Sequence, residues 1–316
     1  YFIFIFSSCS NLNEGEGAYN DIVIISSNED RSIIEKQISN IFYGYVNTPS
    51  EENYYNVIWP NPDKFKDYLN YRNILFISLN NPADSSIDLV NDKFLNEYKE
   101  DIYALNNLYS KNQSVLFFNS LDSNDFDFKI NNYKDWILNE FNDNIEKNIS
   151  TRIVYYGEND SLDAVINEKF GLDFFVQKDY TIIKKDDDSS FLWIGRGYPY
   201  RWITIMKFNY KKLDFYENHW DYYSNLLKEN IPNVSISNFY KKNIYDNGQI
   251  VSLKGLYEES FSDTGGPFFI KVFKLDSENG LYISGFVNNP GKPKYILLKE
   301  LEIIINNITI KRLKNE

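Results

Sequence analysis

The chain of 316 residues holds one histidine, His219, one cysteine, Cys9, and one methionine, Met206. A His-rich zinc site and a disulfide framework are therefore excluded, and any Ser-His-Asp or Cys-His pair would have to pass through His219. Basic residues are in deficit: Lys+Arg number 33 against Asp+Glu 45, a formal net charge of -12 that repels polyphosphate and excludes nucleic acid as a partner. No run approaches the roughly 20 apolar residues of a membrane-spanning helix. Glycine (14) and proline (9) are sparse, no linker of either splits the chain, and no internal repeat is visible. What is abundant is hydrophobic and aromatic: 43% and 17% of the chain, with 26 Tyr and 24 Phe. Such a chain buries a core and suits one large domain or two modest ones. Asn, Ile and Lys are raised together with Tyr and Phe, as AT-rich codons produce by mutational bias, so aromatic abundance alone marks no site. The single methionine lies at 206, from which we expect the initiator to be missing and the sequence to start part-way into a precursor.

Residues Tyr1 to Phe6 are an apolar run, followed by Ser7, Ser8 and Cys9 and then at once by the polar Ser10 to Gly17. Apolar segment, two small residues, cysteine and hydrophilic stretch form the end of a secretory signal peptide, because the peptidase cleft admits only small side chains before its cut. Cys9 resembles the lipobox cysteine of bacterial lipoproteins, whose thiol receives diacylglycerol and becomes the new N-terminus; Phe6 stands where that pattern usually has Leu. The competing reading is a strand with a buried cysteine. Several acyl chains, such as palmitate, on one cysteine exceed the two-signal threshold for stable anchoring, each buried methylene giving about 0.8 kcal/mol. The sequence thus predicts a signal remnant over 1–9, a flexible tether over 10–18, and a body outside the cytoplasm, anchored at the cell envelope, with the outer membrane as the expected location on its periplasmic or surface side.

In the body, Asp21–Ser27, Arg72–Leu79 and Gln113–Asn119 read as buried strands and Asn56–Trp59 as a short one. A capping box of Ser27 and Asp30 opens a helix with Ile34, Ile38, Ile41 and Tyr45 on one face, Pro62 opens a short helix to Leu69, and a long helical stretch through Trp136, Glu140, Ile145 and Ile149 continues over Ile153 to Phe170. Strands alternating with helices predict an α/β half over 19–165. Over 166–316 the texture becomes antiparallel. Short strands at Asp173–Val176, Thr181–Lys184, Phe191–Ile194 and Trp202–Phe208 precede a helix at Asn218–Ile231 and hairpins turning at Asn247-Gly248 and Asn279-Gly280, around the second of which Phe268–Phe273 and Leu281–Val287 are strands. A final helix carries Leu297, Leu301, Ile304 and Ile308. The predicted class is α+β, with two helices on one face of the second sheet.

The succession AYNDIVIISS, YRNILFISL, EKFGLDFFVQKDY, SFLWIGRG, GGPFF and GFVNNPGKPKYILLKELEIII resembles a Bacteroidota lipoprotein family known as domain of unknown function 4837 over nearly the whole mature chain. Its most specific parts are Arg72-Asn73-Ile74-Leu75, Phe191-Leu192-Trp193 and Gly265-Gly266-Pro267-Phe268; the chain departs from the family at Lys178-Asp179, where a proline and a glycine are usual, and in having less Pro and Leu after its first helix. The resemblance implies an envelope location and brings no catalytic residues. The second half is also similar in layout to the PsbP-like fold, an analogy of fold that carries no function.

His219, at the start of a helix, reads as a capping or surface residue rather than a catalytic base. The acidic runs Asp122 to Asp127 and Asp186-Asp187-Asp188 lack the alternate ligands, Gly and final Glu of a calcium loop and read as solvated hairpin tips. No metal or cofactor is implied. Gly265-Gly266-Pro267 lacks the helix and the Lys-Ser/Thr of a phosphate loop; a role in backbone shape fits it better. Asp160-Ser161-Leu162 matches a short glycosylation pattern of envelope proteins. The segment Gly195 to Trp202 concentrates Arg196, Arg201, Tyr198, Tyr200 and Trp202, the composition of binding hot spots, against the alternative of an ordinary turn. The candidate binding residues are those five with Arg72, Gly265 and Gly266. The leading reading is a non-catalytic binding or assembly module of the envelope with a protein or glycan partner; the alternative is a glycan-directed hydrolase with a carboxylate pair, and a third is carriage of a small apolar ligand.

Overall fold

The structure, a computed structural model, describes residues 12–79, 100–188, 190–209, 219–247, 249–261 and 264–310. Cys9 and the rest of the expected signal remnant lie outside them. The fold is α+β, as the sequence predicts, with a mixed α/β first part and an antiparallel second part. The chain forms two compact units, Tyr1–Gly44 with Asn53–Ile149, and Tyr45–Glu52 with Ser150–Glu316. The division therefore falls at 149/150 rather than 165/166, and one short excursion of the first half belongs to the second unit.

In the first unit, β1 (Asp21–Ile25) leads into α1 (Asn28–Ile41); the chain leaves for the hairpin β2 (Tyr45–Thr48) and β3 (Ser50–Asn53) and returns at β4 (Asn56–Ile58). A 3₁₀ helix (Pro62–Tyr68), β5 (Asn73–Ser78), β6 (Ile102–Asn106), β7 (Ser114–Asn119) and the long α2 (Ser123–Tyr155) follow. The sheet order is β4-β1-β5-β7-β6, parallel except for β6. Strands without polar alternation are buried on both faces, and the register sorts them: Ile24, Leu75 and Leu116 face α1 and α2, while Ile25, Phe76 and Phe117 face Phe65 of the 3₁₀ helix. Ser27 Oγ accepts from Asp30 N–H (3.0 Å) as a capping box requires, but the Asp30 carboxylate accepts from Leu79 N–H (3.0 Å), tying the helix start to the end of β5. The Asp122–Asp127 run is a helix start and not a hairpin tip, because Asp122 Oδ1 accepts from the N–H groups of Asn124 (2.8 Å) and Asp125 (2.9 Å).

The expected tether is shorter than 10–18. Lys111 N–H donates to Asn13 O (2.8 Å), Gly15 N–H to Lys111 O (3.1 Å) and Arg72 N–H to Glu16 O (3.2 Å), so residues 13–16 lie along the sheet unit.

The second unit continues with α3 (Asp160–Phe170), β8 (Leu172–Asp173), β9 (Thr181–Lys185), β10 (Phe191–Arg196), β11 (Tyr200–Asn209) and α4 (His219–Asn230). After them come β12 (Val234–Asp246), β13 (Gln249–Glu259), β14 (Thr264–Lys274), β15 (Asn279–Asn288), α5 (Tyr295–Asn306) and β16 (Thr309–Ile310). The helical run expected over 153–170 is interrupted, since α2 ends at Tyr155 and Glu158 pairs with Gln177 before α3 begins. The large sheet has the order β12-β13-β14-β15-β11-β10-β9, antiparallel throughout. The Asn279-Gly280 turn is misplaced in the sequence reading: both residues start β15, and the turn is made by Asp276, whose carboxylate accepts from Glu278 N–H (2.7 Å) and Asn279 N–H (2.8 Å).

The helices do not share one face. Tyr223 and Leu227 of α4 pack with Phe268, Ile270, Tyr282 and Phe286, whereas Gly285, of opposite parity, lies under Leu301 and Ile305 of α5. Covering both faces is what the doubly apolar β15 requires, all but its first residue being buried. The N-terminus of α5 has no side-chain cap of its own; the Glu52 carboxylate accepts from the N–H groups of Lys294 (2.7 Å) and Tyr295 (2.8 Å), which is why the hairpin β2–β3 belongs to this unit.

Candidate functional site

The Gly195–Trp202 segment is a hairpin whose register separates its residues. Gly195 pairs with Trp202 and Arg196 with Arg201, so the two pairs lie on opposite faces of the sheet. Both arginines turn towards α5. There Glu300, wholly buried, meets Arg152 at a hydrogen bond, Arg201 Nη1 at 2.5 Å and Arg196 Nη1 at 3.8 Å. The Arg201 contact is outside hydrogen-bonding angles and is an attraction of charge. Asp179 pairs with Arg196 (2.5 Å), Gln177 Oε1 accepts from it (3.0 Å), and the rings of Tyr156 and Tyr180 flank its guanidinium. Burial pushes the Tyr180 phenol up. The two arginines expected at a binding surface are thus engaged by carboxylates of the fold, and both also border the cleft described next.

The other face holds an open cleft of about 630 Å³ beside the end of α4. Trp193, Trp202, Ile231, Val234 and Asn288 line it, with Tyr200, Glu259 and Thr264 at its margin. Gly195 is what lets the floor close: a Cβ there would come within 2.5 Å of Ile183 Cδ1 and 3.3 Å of Trp202 Cβ. The Trp202 ring stacks on Phe286 (5.3 Å, 11°) and meets the edge of Tyr257 (5.1 Å). The indole N–H groups of Trp193 and Trp202 and the Oδ1 of Asn288 are buried without a partner among the described residues. The Asn288 amide is fixed, since its Nδ2 donates to Thr264 Oγ1 (3.2 Å), which donates to Glu259 Oε2 (3.2 Å). Two donors and one acceptor thus lie unpaired among the residues that line this cleft. Leaving such groups unmet costs about 1–3 kcal/mol each, and each calls for an explanation.

Of the remaining expected site residues, Tyr200 borders the first cleft and the others lie apart from it. Tyr198 and Tyr200 are half-exposed at the hairpin tip with ring centroids 5.7 Å apart, and Lys292 Nζ lies 5.3 Å from the Tyr198 ring. Gly266 is structural: a Cβ there would lie 1.9 Å from Val287 O. Gly265 borders a second cleft of about 660 Å³ with Ser235, Phe239 and Glu258. Arg72 belongs to the first unit, where its Nη1 donates to Gly17 O (2.5 Å) and its guanidinium lies 5.0 Å from the Tyr19 ring, holding the segment that leads into β1. His219 is neither a surface nor a capping residue. It is buried, its Nδ1 lies 2.6 Å from Tyr282 Oη, and burial lowers its pKa. Asp186 lies in the β9–β10 turn and accepts from Ser190, while Asp160-Ser161-Leu162 is the first turn of α3. Among the described residues no cluster of His, Cys, Asp and Glu could hold a metal, and no helix is long and apolar enough to cross a membrane.

Sequence reading missed Trp193, Asn288 and Glu300. Trp193 faces across the strand pair from Thr204, two residues from Trp202, a same-face relation that the hairpin register contains.

Residues 159–307 match the family model of a domain of unknown function, DUF4837, and residues 15–153 that of another, DUF8532. The DUF4837 domain is therefore present and contains the whole of the first cleft, but it covers the second part of the chain and not nearly all of it; the first part is similar to a different domain. No curated protein matches. A crystal structure from Bacteroides thetaiotaomicron VPI-5482, at 1.50 Å resolution, is similar at a TM-score of 0.23 and 10% identity over 47% of this chain. The match spans 47% of that protein's length, and so slight a likeness carries no argument about fold or function.

Proposed function

We propose that this chain is a non-catalytic binding module of the cell envelope, held there by a lipid on Cys9, and that the cleft beneath Trp193 and Trp202 is where it binds. The observation that carries the reading is that three side chains lining one largely apolar cleft, those of Trp193, Trp202 and Asn288, each hold a polar atom with no partner among the described residues. Binding sites have this build, mostly hydrophobic with a few fixed polar groups that orient the ligand. The buried carboxylates speak for binding over hydrolysis. Asp21 accepts from Ala18 N–H (2.7 Å), Asp30 from Leu79 N–H (3.0 Å), and Glu300 is enclosed by arginines, so each has a partner in the fold instead of a second carboxylate. A lipid on Cys9 rests on the order of apolar run, small residues, cysteine and polar stretch.

The double variant Trp193→Phe/Trp202→Phe tests the site, because it removes both N–H donors and keeps aromatic packing. Wild type incubated with solubilised envelopes of the producing cells should retain a component that the variant releases, at unchanged stability. Equal retention by both refutes the site. For the anchor, Cys9→Ser in cells making the precursor should abolish incorporation of labelled fatty acid and free the body from the membrane fraction.

A further inference from the structure

The sheet face that carries Arg196 and Arg201 gains a third side chain from the residue before β9. Thr181 pairs with Gly195 and Arg196 with Arg201, so Tyr180 stands beside Arg196, its ring 5.9 Å from the guanidinium. The three side chains thus form one row across neighbouring strands, on the side where Glu300 lies. Gln177 folds back onto the row: its backbone carbonyl accepts from Tyr180 N–H (3.1 Å) and its Oε1 from Arg196 Nη1 (3.0 Å). The second of these bonds fixes the amide and leaves Nε2 as the donor. Four donors in this row, Gln177 Nε2, Tyr180 Oη, Arg196 Nε and Arg201 Nε, are buried without a hydrogen-bond partner among the described residues. Gln177 is 0% exposed, Tyr180 1% and Arg201 4%.

We infer that these four donors form a binding site for one small monovalent anion, a halide or a short carboxylate such as formate. The balance of donors and acceptors selects the ligand. Buried donors are almost always met in folded proteins, and four together call for an acceptor. Glu300, the carboxylate at this row, is already divided among Arg152, Arg196 and Arg201. A water accepting from two of the donors would bring two O–H donors of its own to the same place, whereas an anion brings only lone pairs. Charge agrees with the count, since the buried Arg201 has only a share of one carboxylate. Burial keeps the Tyr180 phenol protonated and so a donor. Enclosure limits the size: neither cleft described above has Gln177 or Tyr180 in its walls, which restricts the ligand to an ion of a few atoms. Asp179, 44% exposed, is the solvent-facing partner of Arg196, and the ion enters where that pair opens.

The test is thermal unfolding in sodium gluconate, with chloride or formate replacing gluconate at constant ionic strength. At least one of the two ions should raise the Tm along a saturating curve, as a ligand of the folded state does, by about 2 °C or more. A response to chloride alone marks a halide site, to formate alone a carboxylate site, and to both the general class. Tyr180→Phe keeps the ring and removes the O–H. In gluconate its Tm should equal or exceed that of wild type, because an unmet donor is gone, and its half-saturating ion concentration should rise about fivefold or more. Crystals of the wild type grown with the effective ion, bromide standing in for chloride, should place it within about 3.5 Å of Tyr180 Oη and Gln177 Nε2. A Tm that follows neither ion, an unchanged half-saturating concentration in Tyr180→Phe, or an ion found only elsewhere each overturns the inference.

Discussion

Replacing Glu300 by glutamine changes almost no volume and removes the buried negative charge at the meeting point of Arg152, Arg196 and Arg201. Arg201 and Glu300 are 4% and 1% exposed, so water screens little of the loss, and Asp179, 44% exposed, compensates Arg196 alone. Removing one partner of a buried pair costs about 3–5 kcal/mol, because the remaining charge keeps its desolvation penalty. That is a large part of the ~5–15 kcal/mol that holds an ordinary domain folded. At about 2–4 °C per kcal/mol for a domain of this size, Glu300→Gln should lower the Tm of the second unit by about 6–20 °C. Urea unfolding followed by tryptophan fluorescence reads the unit, since Trp193, Trp202 and Trp220 belong to it. A paired variant separates charge from shape: Glu300→Gln/Arg201→Met should recover part of the loss, because the most deeply buried cation leaves with its partner. A loss under about 1 kcal/mol for Glu300→Gln refutes the view that this cluster locks the hairpin arginines to α5.

Two further perturbations follow from the same packing. Burial holds the His219 pKa below its usual 6.5, so the unfolded chain takes up the proton first as pH falls; stability from this group is full above pH 6.5 and is lost on acidification through the folded-state pKa. His219→Gln should flatten the stability curve just below about pH 6.5, and an unaltered slope there contradicts it. Gly266→Ala places a Cβ 1.9 Å from Val287 O and should cost about 3 kcal/mol or more, whereas Gly197→Ala, with open space around its Cβ, should stay within about 0.5 kcal/mol in the same denaturation assay.

Much of this was legible in the sequence, and the reasons differ by element. DIVII, NILFIS and SVLFFN read as strands of a doubly covered parallel sheet because nothing polar interrupts them. The α+β class followed from the change to turn-separated short strands. Asn144 and Asn148 of α2 were not legible as buried residues: their amides donate to Asn73 Oδ1 (2.8 Å) and Asn112 O (2.9 Å), partners that only the folded chain brings near. Glu300 left a trace, an acid inside the apolar run of α5 close to Leu301 and Ile304, and a charge on a core-facing turn demands buried cations. The Arg196–Trp202 segment is rich in side chains of binding type, but composition ignores alternation. Successive residues of a strand face opposite ways, so Trp202 goes to the cleft and Arg201 to Glu300. Asn288 gave no signal at all, because its role depends on the Thr264–Glu259 relay across three strands.

The central claim is that the cleft of the second unit is a binding site, and the indole N–H resonances of ¹⁵N-labelled protein address it directly. The chain has five tryptophans, and Trp193 and Trp202 alone line this cleft. On titration with the carbohydrate-containing envelope extract of the producing cells, the account predicts that the Trp193 and Trp202 indole signals shift together and saturate while those of Trp59, Trp136 and Trp220 stay in place. Shifts confined to the other three tryptophans, or none at any, would contradict it.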